Sequence, residues 1–397
     1  MFGSGLLALL PLLAQATGES PLCDTGNFHA FLDAYAGRDA CALSYLTQPW
    51  PDVEVWREQG RAKMAELLAY RPESAPLDAE IMESRQQEGY VRHKVRYQVT
   101  ADRWTEAYLL IPDGLTAPAP AVMALHCHSG YYYFGKEKVV ATEHPPQVLQ
   151  GLIDQTYGGR TFGDELARRG FVVLAPDAFY FGSQRLDPDM LPPHFMPDLK
   201  KHKRGSDAYI RAFHMYASAH ETLTAKTIFT AGTTWPGILF QGDRASLDYL
   251  LTRPEVDPER IGCMGLSIGG FRAAHLFGLD PRVKAAVAAG WMTTYRALLC
   301  NHLRNHTWMI YVPGQYAWLD LPDVATLNAP QPLMIINCSK DSLFTMDGMQ
   351  AAEAKIAEVY RRLGAADHFQ CNYYDEPHSL KIPAQDDAIA WLERWLK

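Results

Sequence analysis

An α/β fold, with a mostly parallel central sheet covered by helices on both faces, is what the sequence predicts, and two observations predict it. From residue 119 onward, short apolar runs of strand length alternate with amphipathic stretches of helical period. The run "APAVMALHCHSG" also ends abruptly in His126, Cys127, His128, Ser129 and Gly130, residues suited to a polar loop at the carboxyl end of a strand. With 397 residues, 48% of them hydrophobic and 21% charged, the chain has apolar material for a sizeable core.

The elements follow in chain order. "MFGSGLLALLPLLAQATGES" holds an apolar stretch ending in Ala14-Gln15-Ala16, so residues 1–16 read as a signal peptide if the protein is exported. No Lys or Arg precedes that stretch, and this tilts the expectation toward a cytoplasmic protein. "FHAFLDAYAG" and "VEVWREQGRAKMAELLAY" keep helical period, so residues 1–88 are expected to form a helical N-terminal segment ahead of a catalytic domain over 89–397. "HKVRYQVT" and "TEAYLLIP" suggest a leading antiparallel pair. "TFGDELARRG" reads as a helix closed by Gly170, and "FVVLAPDAF" as the buried strand after it. Then come the helix "DRASLDYLLTRPEVD", the strand "RIGCMG", the helix "SIGGFRAAHLFGLD" and the strand "RVKAAVAAGW". "PLMIINCS", "DGMQAAEAKIAEVYRRLG", "HFQCNYYDE" and "DDAIAWLERWLK" complete the alternation. Residues 187–237 and 292–327 break it, are rich in Pro, Trp, Tyr and His, and read as lid or pocket-wall insertions.

Charge and cysteine usage narrow the function. Thirty-seven basic against 45 acidic residues give a formal charge of -8, no footprint for nucleic acid or an anionic membrane surface, so a small-molecule partner is expected. No apolar run is long enough to span a membrane. "KKHKR" at 200–204 reads as a solvated charge run. Seven scattered cysteines form no C-x-x-C pair and no even framework, and all are expected to be free thiols. His126, Cys127 and His128, or His302 with His306, lack a third ligand at zinc-like spacing, so no metal is expected.

The chemistry centres on "MGLSIGG". Ser267 lies between a strand and a helix in a G-x-S-x-G pattern, the context of a nucleophile elbow; Gly265 and Gly269 keep the tight turn free of side chains. A serine hydroxyl needs a base, and the base an orienting acid. "IINCSKDSLF" puts Asp341 just past a strand and "YYDEPHSL" puts His378 past the next; Asp347, Asp320 and Asp323 are competing acids farther from a strand end. The oxyanion donors expected are the backbone N–H groups of Ile268 and, from the "HCHSG" loop, His128, with Cys127 and Ser129 near enough to compete. Trp291, at a strand end, is a candidate for lining the acyl pocket, or equally a core residue.

These stretches, with "YGGRTFGDELARRGFVVLAPDAFYFGSQR", "LPDVATLNAPQPLMIINCSKDSLF" and "EPHSLKIPAQDDAIAWLERWL", resemble serine-nucleophile α/β-hydrolases of the dienelactone hydrolase and acetyl xylan esterase type across most of residues 90–397. The resemblance implies the α/β-hydrolase fold, a Ser267–His378–Asp341 triad, oxyanion donors at His128 and Ile268, and hydrolysis of an ester, often an acyl group on a sugar, without metal or organic cofactor. Two features depart from the pattern: Cys127 and Ser129 stand where such proteins commonly carry Gly or Asp and then Gly, and dienelactone hydrolases proper use a cysteine nucleophile. Rival readings are a prolyl oligopeptidase-like peptidase, which usually has a large additional domain, and a non-catalytic binding protein on a hydrolase scaffold. The sequence leaves substrate and oligomeric state open.

Overall fold

The computed structural model describes residues 22–37 and 41–397; the signal-peptide reading of residues 1–16 falls outside them. Three strands come first: β1 (Glu80–Gln87), β2 (Tyr90–Thr100) and β3 (Arg103–Pro112), each antiparallel to the next. The remaining strands are β4 (Ala119–Leu125), β5 (Val172–Pro176), β6 (Val256–Leu266), β7 (Ala285–Ala289), β8 (Leu333–Cys338) and β9 (Phe369–Tyr374). All nine form one sheet in the order β1-β2-β3-β5-β4-β6-β7-β8-β9. It is parallel from β5 to β9, with β3 antiparallel to β5.

Helices cover both faces: α1 (His29–Gly37), α2 (Val53–Leu68), α3 (Gln147–Tyr157), α4 (Phe162–Arg168), α5 (Asp207–Thr230), α6 (Trp235–Leu250), α7 (Ile268–Leu279), α8 (Tyr295–Leu298), α9 (Gln315–Trp318), α10 (Leu321–Thr326), α11 (Met346–Arg362) and α12 (Ile382–Leu396). The sheet has a core on each side because successive strand residues point to opposite faces. Ala121, Met123 and Leu125 of β4 join the core beneath α2, α6, α7 and α11, while Val122 and Ala124 join the one beneath α3, α4 and α12. Within the first core, Arg272 of α7 and Asp243 of α6 make a buried ion pair at 2.6 Å that fixes α7 against its neighbour.

Polar caps start several of these helices. Asp52 accepts from the Glu54 N–H at the head of α2, Ser206 from Tyr209 at α5, Thr234 from Gly237 at α6 and Thr345 from Gly348 at α11, each satisfying a donor that the helix cannot.

The segment before residue 89 is helical at α1 and α2, but residues 80–87 form an edge strand where a helical segment was expected. "EIMESRQQ" is almost wholly exposed and lacks the alternation of a half-buried strand, so its extended form comes from pairing with β2 and not from local pattern. Its charged side chains and a register break between Ile81 and Glu83 suit an edge that must not recruit further strands. The two insertions contain short 3-10 turns at 188–190, 193–195 and 199–201, the long α5, and the short α8, α9 and α10. The "KKHKR" run sits in the first, with Lys201 and Arg204 paired to Asp198 and Asp189 at the surface. One cysteine expectation is overturned: Cys23 and Cys300 form a disulfide, while Cys41, Cys127, Cys263, Cys338 and Cys371 are free. The pair is 277 residues apart, a separation that no spacing rule in the sequence reveals.

Candidate active site

Ser267 occupies the single residue between the end of β6 and the start of α7, with φ 61° and ψ -120°. A side-chain-bearing residue pays a strain cost there, and the surroundings hold it in place. Its N–H donates to the Ala289 carbonyl at 2.8 Å, and its carbonyl accepts from Phe271. The flanking glycines are sterically required. A Cβ at Gly265 would meet the Gly269 backbone at 2.5 Å, one at Gly269 the Leu125 carbonyl oxygen at 2.1 Å, and one at Gly270 the Ala289 oxygen at 2.4 Å.

Asp341 and His378 follow β8 and β9, adjacent parallel strands, so their loops emerge side by side. Asp341 is 6% exposed; one carboxylate oxygen accepts from the His378 Nδ1–H at 2.5 Å and the other from the Leu343 N–H at 2.9 Å. With Nδ1 holding the proton, His378 presents the lone pair of Nε2, which is buried and has no hydrogen-bond partner among the described residues. Ser267 and His378 line one cavity of about 360 Å³, together with His128, Ser129, Tyr132, Glu221 and Thr307.

The parallel register pairs Leu125 with Gly265, so the loop after β4 runs beside the elbow after β6. His126 is fully buried and uses both ring nitrogens: Nε2 accepts from the Ala178 N–H at 3.1 Å, and Nδ1–H donates to the Cys127 carbonyl at 3.0 Å. Burial and the nearby Lys138 charge hold its pKa well below the ordinary histidine value. His128 Nδ1 accepts from the Gly130 N–H at 2.9 Å, leaving Nε2–H to donate to Glu221 at 2.8 Å. With every ring nitrogen engaged, neither histidine is free to ligate a metal. The backbone N–H of His128 makes no hydrogen bond among the described residues, and that of Ile268 is the first of α7, without an intrahelical acceptor.

Glu221, which the sequence reading did not single out, organises this wall. From the middle of α5 its carboxylate accepts from His128, from the Tyr132 hydroxyl at 2.7 Å and from the Thr307 hydroxyl at 2.8 Å, tying both insertions to the loop after β4. Those hydrogen bonds outweigh its burial and hold its pKa below the usual carboxylate range. No sequence motif marks a lone Glu inside a 24-residue helix.

The competing acids have other work. Asp320 caps α10 and accepts from the Tyr295 N–H; Asp323 completes that capping box and pairs with Lys355 at 2.6 Å; Asp347 lies in the first turn of α11. Trp291, 3% exposed, packs edge-on against Phe271 and Phe344 and is not among the residues lining the cavity, so the structure places it in the core. His302 and His306 do not converge: His302 meets the Asn301 side chain, whereas His306 meets the Leu343 carbonyl and lines the cavity.

Residues 152–363 match the Dienelactone hydrolase family. That span includes Ser267 and Asp341 but neither His128 nor His378. A candidate hydrolase of Bacillus subtilis (strain 168), YtaP, is 24% identical over 341 residues, covering 86% of this chain and all of the relative. Among solved structures, a candidate acetyl xylan esterase of Bacteroides fragilis NCTC 9343 superposes with a TM-score of 0.68 at 16% identity, over 88% of this chain and 84% of the other. A glucuronoyl esterase from Solibacter usitatus gives 0.63 at 13% identity, over 90% and 97%. At these identities the likeness establishes the fold.

Proposed function

The chain belongs to the dienelactone hydrolase family of α/β-hydrolases, and on that premise we propose that it is a serine esterase cleaving a carboxylic ester, an acylated carbohydrate being the favoured substrate, through an acyl-enzyme. One observation supports this above the others: His378 is oriented by buried Asp341 and shares a cavity with Ser267 while its Nε2 is unengaged. His378 Nε2 takes the Ser267 proton as the hydroxyl attacks the ester carbonyl, then delivers it to the leaving alkoxide. Asp341 holds the imidazole in the tautomer this requires and stabilises the imidazolium. The N–H groups of Ile268 and His128 receive the oxyanion. Water then enters, is deprotonated by His378 as its oxygen attacks the acyl carbonyl, and the acyl–Ser267 Oγ bond breaks as His378 returns the proton to Oγ, releasing the acid. Ser129, Ser218, Asn305 and Thr307 on the cavity wall offer hydrogen-bonding groups to a hydroxyl-rich alcohol.

Ser267→Ala is expected to reduce turnover of p-nitrophenyl acetate to the solvent background, with an unchanged circular dichroism spectrum. Retained turnover would remove Ser267 from the mechanism. A p-nitrophenyl chain-length series beside acetylated xylan and cephalosporin C resolves the substrate class; preference for long acyl chains would argue against the carbohydrate reading.

A further inference from the structure

Lys138 is fully buried behind the loop that follows β4. Its ammonium donates to the Cys127 carbonyl at 2.8 Å and the His128 carbonyl at 3.1 Å, and lies 4.4 Å from the centre of the Phe181 ring. Among the described residues no carboxylate lies within ion-pair distance of it, in contrast to its neighbour Lys136, which pairs with Asp177 at 2.8 Å. A buried cation without a counter-ion is costly, and two carbonyls and an aromatic face compensate it only in part.

The two carbonyls belong to particular peptide units. The Cys127 carbonyl shares its amide with the His128 N–H, and the His128 carbonyl shares its amide with the Ser129 N–H. The Cys127 oxygen also accepts from the His126 Nδ1–H at 3.0 Å, so two donors occupy it. Donors on an amide oxygen draw electron density from the amide and strengthen its N–H as a donor, an effect enlarged where water is excluded. The charge thus reaches the N–H groups of both His128 and Ser129.

Resting on the esterase reading above, we propose that Lys138 is a positioning residue of the oxyanion hole, one that orients the 127–129 backbone and polarises the His128 N–H toward the developing oxyanion without touching substrate. It replaces nothing in the triad. Its contribution is made in the transition state, when the oxygen becomes charged, and is small in the ground state. The geometry is supported by protonation chemistry: burial lowers the Lys138 pKa to about 8. The charged and titratable groups acting on it are Cys127, Asp177, Glu137 and Arg272, and it acts in turn on His126 and His214. The stabilising form is the ammonium, so the benefit is present below about pH 8 and is lost above it.

Lys138→Gln tests this, because the amide keeps a donor for one carbonyl and removes the charge. Relative to wild type on p-nitrophenyl acetate at pH 7, kcat is expected to fall about 10-fold with KM within about 2-fold. Affinity for a tetrahedral trifluoromethyl ketone is expected to weaken by the same factor, and the alkaline fall in kcat near pH 8 to disappear. If Gln disrupts the fold, as read by melting temperature, the wild type carries the test through that alkaline limb together with the pH dependence of ketone affinity. A folded Lys138→Gln with unchanged kcat, a loss confined to KM, or a wild-type kcat and ketone affinity flat through pH 9 overturns the proposal and leaves the esterase reading standing. A wild type that hydrolyses no ester overturns that reading and this proposal with it.

Discussion

At the scale of single residues, backbone strain and unmet hydrogen-bonding capacity mark where chemistry is expected. Ser267 sits at φ 61° although it bears a side chain, and His378 keeps Nε2 without a hydrogen-bond partner among the described residues. Asp341→Asn should lower kcat roughly 10⁴-fold with little change in KM, since the amide favours the wrong imidazole tautomer; a loss below about 10-fold would assign Asp341 to loop structure alone. Glu221→Gln places an amide N–H against hydroxyl and imidazole donors that need an acceptor, so denaturant titration is expected to show a loss of about 1–3 kcal/mol. Ser267, Asp341 and His378 were legible because each follows an apolar run and a parallel sheet collects such positions along one edge. Glu221 and Lys138 were not, because their partners are a distant histidine and two backbone carbonyls that only the fold brings near. Trp291 could be read either as pocket or as core, and its neighbours Phe271 and Phe344 place it in the core.

At the scale of elements, the elbow is a close-packed junction. Gly269 lets α7 start against the carboxyl end of β4, and the Cβ of Gly269→Ala would stand 2.1 Å from the Leu125 oxygen. That overlap should cost about 1–3 kcal/mol and lower the melting temperature, with activity falling as the elbow shifts; an unchanged melting temperature would mean that the junction yields freely. The alternating strands and helices were readable from period and length, whereas β1 was not, because its strand form depends on β2. The disulfide between Cys23, near α1, and Cys300, in the second insertion, was equally hidden. Thiol titration of the denatured, unreduced protein is expected to find the five free cysteines, rising to all seven after reduction; seven before reduction would refute the pairing.

At the scale of the whole molecule, stability and chemistry make separate demands on pH. Burial holds His126 well below the ordinary histidine value, His214 at about 3, and His275 and His306 at about 4. Between roughly pH 6.5 and 4 the unfolded chain takes up protons on these groups that the native state refuses, each at a cost of about 1.4 kcal/mol per pH unit. Asp320, raised to about 6 chiefly by burial, opposes one of them by taking up its proton in the native state first. The melting temperature should therefore drop as pH falls through that window, and a flat profile would contradict neutral burial of the four rings. On the esterase reading, catalysis needs Ser267 within reach of His378, and the cavity they share is lined by the segments that follow β4, β5, β6, β7, β8 and β9. The most direct test is labelling with a fluorophosphonate probe followed by peptide mass spectrometry: stoichiometric modification of Ser267, abolished in His378→Ala, is expected. Modification of another residue, or none, would contradict assignment of Ser267 as the nucleophile.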